Sequence, residues 1–376
     1  MPFTGKSTYS AGDTLPEIAE DVSDLVTINS PHETPLLDAL GDPQRSVRST
    51  VHEWVEDGLL PNTDTLTSVS GTTLGVTAPG RFRAGDVLRF DSTGEAALVV
   101  GVDADNGTLS VTRGYGDTVV ATPTASSALT IVGNAALEGA DAQAARFGVR
   151  VRRRNYTQIF SSTVSVSGSD LAASQLAVRD ELAWQKNLRS RELLRDLENS
   201  VINGVAATDE PQGSSTTRRT LSGLLASITS NRLKTGVQLP AGSALTEEIL
   251  NLALRTIWKT SSGSVDLIVV GGREKRSING FIATGRRFMG RDETYKDAVS
   301  VYESDFGVCR VVLSRYVPQG KVLLLDSSRI SVLPLAGRSF AYTPLARTGD
   351  AENGQMLGEY TLECRNESAH GVITIA

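Results

Sequence analysis

One stretch of this chain is long enough to set the scale of the molecule. From Ser169 or Asp170, either of which can cap a helix, helical periodicity runs to Asn203-Gly204, an ordinary C-terminal stop. Leu193, Leu197 and Val201 form one apolar stripe and Leu171, Val178 and Leu182 another; Arg179, Lys186, Arg189, Arg191, Glu192, Arg195 and Asp196 supply exposed charge. At about 1.5 Å per residue such a helix spans roughly 50 Å. A small globular domain has no interior for it, so it reads as a spine along an elongated subunit.

Downstream the pattern mixes helices and strands. A polar loop, ATDEPQGSSTTRR, leads to TLSGLLASI; LTEEILNLALRTIWKT is an amphipathic helix opened by Thr246, and VDLIVV is a buried strand. GGREKRSINGFI starts a second helix directly after that strand, a position that can hold a phosphate. Gly271-Gly272 lacks both the glycine spacing of a dinucleotide fold and the Lys-Ser/Thr of a P-loop, so a tight turn is the better reading. Strands follow at VSVYES, GVCRVVLS, KVLLLD, ISVLPL, GEYTLECR and GVITIA.

Upstream, the first forty or so residues form an arm rich in Gly, Thr, Ser and Pro. Its apolar positions Leu15, Ile18, Val22, Leu25 and Val26 permit one short helix laid across another surface. In INSPHETPLLDALGD, Pro31 and Pro35 fix the backbone while Leu36, Leu37 and Leu40 make an apolar knob ended by Gly41. From Ser49 the chain alternates: Val51, Glu53 and Val55 point one way and His52, Trp54 and Glu56 the other. His52-Glu53 is also the first half of a zinc-peptidase helix, whose second histidine falls four positions on; that position is Glu56. Only His32 and His370 remain as partners, and neither sits in a ligand pattern.

Residues 71–135 have few helix formers and many Gly, Thr and Val, and read as a small β-barrel or sandwich inserted into the rest. Asn106-Gly107 between alternating runs is a hairpin signal. DADNG resembles the start of a calcium loop, but its glycine comes one position early and no bidentate Glu follows. Phosphate binding at Arg113-Gly114-Tyr115-Gly116 has equally little support. After the insert, Arg146, Arg150, Arg152, Arg153 and Arg154 cluster on an alternating run. Three readings stay open: a solvated face, pairing with acids of another copy (Glu53, Glu56 and Asp57 are the candidates), or phosphate contact, which lacks interleaved aromatics.

Composition excludes several classes. The chain has 376 residues, enough for two or three domains, and 40% of them are hydrophobic. Its net charge of −6 describes an acidic protein that does not adhere strongly to DNA. Cys309 and Cys364 give neither metal spacing nor a disulfide framework, and no stretch approaches the roughly 18 apolar residues of a membrane helix. No Ser/His/Asp grouping, carboxylate pair or metal cluster stands out, so neither catalysis nor a cofactor is expected.

INSPHETPLLDALG followed by HEWVEDGL, the long helix after VSVSGSD, then VYESDFG, SRYVPQGKVLLLD, PLARTGD and GEYTLECRNESAHG resemble the tailed-bacteriophage (Caudoviricetes) major capsid, or major head, protein family. The likeness spans nearly the whole chain outside residues 71–135. It implies an α+β chain with the tailed-phage and herpesvirus-type major capsid fold. The expected parts are an N-terminal arm at 1–44, an extended loop at 45–70 with its return at 136–167, and an inserted small β-domain at 71–135. A peripheral domain at 168–220 would hold the spine helix, 169–204; the axial domain would be 221–330, and the strands of 331–376 would return to the peripheral domain.

The resemblance further implies self-assembly into hexamers and pentamers of an icosahedral shell around double-stranded DNA, held by weak non-specific contact. The arm and loop would lap over adjacent subunits. On this reading Glu53, Trp54, Glu56, Asp57, Arg150, Arg152, Arg153 and Arg154 are the candidate inter-subunit contacts, and scaffolding, portal and decoration proteins would be separate partners. Assembly is expected in the bacterial host cytoplasm. Some capsids of this fold are cross-linked by an extended-loop lysine; no lysine lies between Lys6 and Lys186, so no such link is expected. About thirty residues precede the first family block, which leaves no room for a long internal scaffolding segment. Two rivals are an encapsulin-like compartment shell and a metal-dependent hydrolase using His52 and Glu53.

Overall fold

The computed structural model describes residues 32–42, 45–124, 126–142, 145–148, 150–172, 180–285, 301–347 and 349–375. The arm before His32, with its apolar positions, and Val178 and Arg179 of the spine pattern lie outside the described residues. The chain divides into two compact units, Met1–Trp54 with Arg153–Ala376, and Val55–Arg152.

In chain order, the first unit opens with α1 (Pro35–Leu40), which has Pro35 in its first turn and Gly41 (φ 74°) at its C-terminus. There the left-handed backbone that glycine tolerates ends the helix. β1 (Val51–Glu56) follows.

The second unit is a closed barrel of β2 (Thr63–Ser70), β3 (Thr73–Val76), β4 (Asp86–Phe90), β5 (Ala96–Asp103), β6 (Thr108–Arg113) and β7 (Ala128–Asn134), in the order β2-β3-β6-β5-β4-β7. Closure leaves no sheet edge, and inward residues such as Leu66, Leu74, Leu88, Phe90, Val99, Leu109 and Leu129 fill the interior. The β5–β6 hairpin turns at Asn106-Gly107, where Asp103 accepts from both the backbone and the side-chain nitrogen of Asn106. The barrel starts at Thr63, eight residues before the boundary read from the sequence. TDTLTSVS carries too few large apolar residues to announce a strand, yet Asp64 and Leu66 point inward and β2 pairs with both β3 and β7.

The chain returns through β8 (Val151–Tyr156), which pairs with β1 as a two-stranded ribbon. Next come β9 (Gln158–Ser167), α2 (Gly168–Ala172) and α3 (Glu181–Asn203). The single helix expected over 169–204 is corrected here. Asp180 is extended (φ −138°, ψ 95°) and its side chain accepts from the Ala183 N–H, so α3 begins at Glu181. Its 23 residues span about 34 Å. An aspartate that caps competes with helix continuation by binding the backbone amides of the next turn, which periodicity alone does not weigh.

The remaining elements are α4 (Leu224–Ser227), β10 (Arg232–Lys234), α5 (Glu247–Thr260), β11 (Leu267–Val270), α6 (Gly272–Gly285), β12 (Val301–Ser304), β13 (Gly307–Leu313), β14 (Lys321–Leu325), β15 (Ile330–Pro334), β16 (Ala341–Pro344), β17 (Ala351–Cys364) and β18 (Gly371–Thr374). One sheet has the order β10-β18-β14-β11-β13-β12, with β11/β13 and β10/β18 parallel and its other pairs antiparallel. β11 is buried on both faces. Leu267 and Val269 enter one core with Leu193, Leu197 and Val201 of α3, while Ile268 and Val270 enter another with Ile249, Leu250, Ala253 and Ile257 of α5. This is why VDLIVV lacks polar alternation. As expected, Thr246 caps α5 by accepting from the Ile249 N–H. In the second sheet β17 runs antiparallel to β9 along one side and to β15 and β16 along the other. Among the described residues no helix is long and apolar enough to cross a membrane.

Candidate assembly surfaces

Alternation on β1 decides what His52 and Glu53 can do. A strand sends successive side chains to opposite faces, so the two diverge instead of converging on a metal. His52 is largely buried: its Nε2 lies 2.5 Å from Glu363 Oε2, and its ring is 5.7 Å from that of Trp54. Glu53 and Val55 face outward. Among the described residues no three His, Cys, Asp or Glu side chains are grouped to hold a metal.

Beyond the ribbon's base the surface is charged and apolar together. Arg152, Arg153 and Arg154 are exposed on β8. Asp57 accepts from Arg150 Nε at 2.9 Å, both side chains being more than half exposed, so this pair contributes well under about 1 kcal/mol. Val55, Leu59 and Phe147 are exposed by 62%, 98% and 86%. Large apolar side chains this bare thus lie on the same segments as an arginine run.

Beneath the ribbon lies a set of buried polar groups. Glu363 on β17 is 2% exposed and accepts from Arg45 (2.6 Å), His52 and Arg365 (3.3 Å). Burial alone would raise its carboxyl; the hydrogen bonds from His52 and Arg45 outweigh that and hold it below the ordinary carboxylate range. Glu359, four residues earlier on the same face, accepts from Thr157 (2.6 Å), Arg338 (2.8 Å) and Arg219. Between them Thr361 donates to the Tyr156 carbonyl, and Asn155 donates to the carbonyls of Ser222 and Leu362 while accepting from the amides of Tyr156 and Ser222. Both polar atoms of the Asn155 side chain are satisfied. The strand that leaves for the ribbon is therefore fixed at its root by charge-assisted bonds shielded from water, which are strong and directional.

A family model described as SU10 major capsid protein matches residues 3–376. The chain belongs to that family. The match runs through residues 71–135, which the sequence reading had set apart. The structure is similar to the capsid asymmetric unit of cyanophage A-1(L), with TM-score 0.55 and 12% identity over 95% of this chain and 97% of that one. It is similar to the capsid of a native GTA particle, with TM-score 0.54 and 9% identity over the full length of both chains. A holo-SrpI encapsulin complex from Synechococcus elongatus PCC 7942 gives TM-score 0.43 and 14% identity over 60% of this chain and 76% of that one. A search of the curated proteins returned no match.

The fold is thus that of the phage major capsid proteins, and a protein of this family is a structural component of the virion shell. Within this capsid subunit, β1 and β8 bring Glu53, Trp54, Glu56, Arg152, Arg153 and Arg154 onto one ribbon, and Asp57 and Arg150 flank it. Sequence reasoning passed over Glu359, Glu363, Asn155 and Arg219. Its one available signal was the Glu359, Thr361, Glu363 series at alternate positions of β17, which looks like a solvated strand face. Cys309 and Cys364 are buried, and burial pushes the Cys309 thiol up to about 11.

Proposed function

We propose that the chain is the shell-building subunit of a tailed-phage head, assembling in the host cytoplasm into hexamers and pentamers that close an icosahedral capsid around double-stranded DNA. The observation that carries this is the family match across residues 3–376. Heterologous contacts that close into rings and then a shell require a surface not satisfied within one subunit. Val55 on β1 and Val151 on β8, exposed by 62% and 47%, are of that kind, on a strand pair rooted in buried polar bonds.

In this reading residues 1–44 are the arm, 45–70 and 136–167 the extended loop, 71–135 the insert, 168–220 the peripheral domain, 221–330 the axial domain and 331–376 the strands that return to the peripheral domain. Glu53, Trp54, Glu56, Asp57, Arg150, Arg152, Arg153 and Arg154 contact a neighbouring copy. The role is assembly rather than catalysis. The packaged DNA is touched weakly and without sequence preference, as suits an acidic subunit of net charge −6. Scaffolding, portal and decoration proteins act as separate partners. Electron microscopy with size-exclusion chromatography, of the chain alone and with its genomic neighbours, tests the reading. Shells, tubes or hexamer sheets are expected; a monomer or dimer under every condition would overturn it.

A further inference from the structure

Glu198 lies in α3, fully buried, and among the described residues no Lys, Arg or His forms an ion pair with it. Its donors are neutral. The backbone N–H groups of Leu36 (3.2 Å) and Leu37 (3.4 Å) reach Oε2, and the Ser314 hydroxyl (2.9 Å) reaches Oε1. The first two belong to α1, whose Leu36 is itself fully buried in the core shared with α3. A carboxylate buried without a cation is costly, whereas the neutral acid is not. The charged groups around it offer little help. Asp38 on α1 opposes ionisation; Glu33 before α1 is taken up by exposed Arg315 at 3.4 Å; Arg195 of α3 is bonded to Asp196; and Tyr316, after β13, is neutral.

We propose that Glu198 is a proton-controlled latch on α1: as the neutral acid it keeps α1 seated on α3, and as the carboxylate it favours a released α1 that lets it reach water. In the seated form burial pushes the carboxyl up to about 7, against the partial relief of the Ser314, Leu37 and Leu36 bonds. In the released form it meets water and returns to the ordinary value of about 4.3. Between these limits the seated form binds more protons, so seating strengthens as pH falls and weakens as pH rises, levelling off near the upper value. The opening equilibrium grows roughly seventy-five-fold from about pH 5 to about pH 8. The latch concerns the single subunit and stands independently of the shell reading.

Amide hydrogen exchange of residues 36–41 in the full-length chain, expressed as protection corrected for intrinsic rates, reads the latch directly. In the wild type, protection should fall by that factor across the range and then level off. Glu198→Gln keeps an acceptor for Leu36 and Leu37 but does not titrate, so its protection should be independent of pH. Ser314→Ala removes a donor that favours the ionised form, so the levelling-off should move to higher pH. Flat protection in the wild type, or the same fall in Glu198→Gln, would overturn the latch. Should Glu198→Gln fail to fold, an unmoved plateau in Ser314→Ala does so.

Discussion

Replacing Arg113 by Met removes the cation paired with Glu95, a buried carboxylate of the barrel unit. The Glu95 side chain is 0% exposed and that of Arg113 is 11%, and they make two parallel bonds of 2.6 Å each. The amides of Gly114 and Ala121, each at 3.1 Å, are the other donors to Glu95. The guanidinium also lies 5.1 Å from the centre of the Phe90 ring. Taking one partner from a buried pair costs about 3–5 kcal/mol, and the cation–π contact about 0.5–1 kcal/mol more. A loss near 4 kcal/mol multiplies the barrel's opening equilibrium by roughly a thousand. Hydrogen exchange of peptides from residues 86–134 in the full-length chain measures it, with peptides from the other unit as the internal reference.

The pair also sets a pH dependence. The hydrogen bond from Arg113, outweighing burial, holds Glu95 below its ordinary value. Its stabilisation is therefore complete above the unfolded carboxyl value of about 4.3 and is lost as pH falls toward and below the folded value; Arg113→Met should abolish that acid loss. Glu95→Gln in the Arg113→Met background should restore at least half of the lost protection, because no charge is then left buried. A loss below about 1 kcal/mol, or a double variant no better than the single, would refute the reasoning.

Four further outcomes follow from other parts of the molecule. A Cβ at Gly223 would sit 2.6 Å from the Gly204 nitrogen and 2.7 Å from the Ser200 carbonyl, so Gly223→Ala should cost about 3 kcal/mol in urea unfolding. His370 is fully buried, with Nδ1 accepting from the Asp326 N–H, and burial lowers its pKa. Its folded value lies below the unfolded one of about 6.5, so stability is lost as pH falls through that value; measured in a Glu198→Gln background, His370→Asn should flatten this slope of the urea midpoint. Arg153→Glu should leave the subunit folded by circular dichroism while reducing particle yield several-fold; normal yield would remove Arg153 from the contact set. Denaturing gels of mature particles should show no covalent ladder mapping to residues 45–167, which contain no lysine.

Strands β11 to β15, the second half of β17 and β18, with the helices α5 and α6, were legible because burial repeats with a period that the sequence shows directly; β16, mostly exposed, was not. Thr246 and the Asn106-Gly107 turn were legible because capping and turning are local acts. The start of α3 was misjudged because periodicity runs on from the caps read at Ser169 or Asp170 past Asp180, whose extended backbone sets the actual start. β2 was missed because TDTLTSVS holds few large apolar residues, and it is its pairing with β3 and β7 that makes it a strand.

The candidate contact residues were read from charge and alternation, and the fold places six of them on one strand pair with Asp57 and Arg150 beside it. The groups that anchor that pair were not readable. Glu95, Glu198, Glu359 and Glu363 are ordinary surface residues by type, and each is buried because partners distant in the chain, among them Arg113, Ser314, Arg219 and Arg45, arrive around it in three dimensions. The sequence by itself determined where most of the helices and strands lie and put His52 on an alternating run, since periodicity and capping act over a few residues. Only the tertiary structure decided which carboxylates lose their water and which cations compensate them, because desolvation depends on everything that packs around a group and not on its neighbours in the chain.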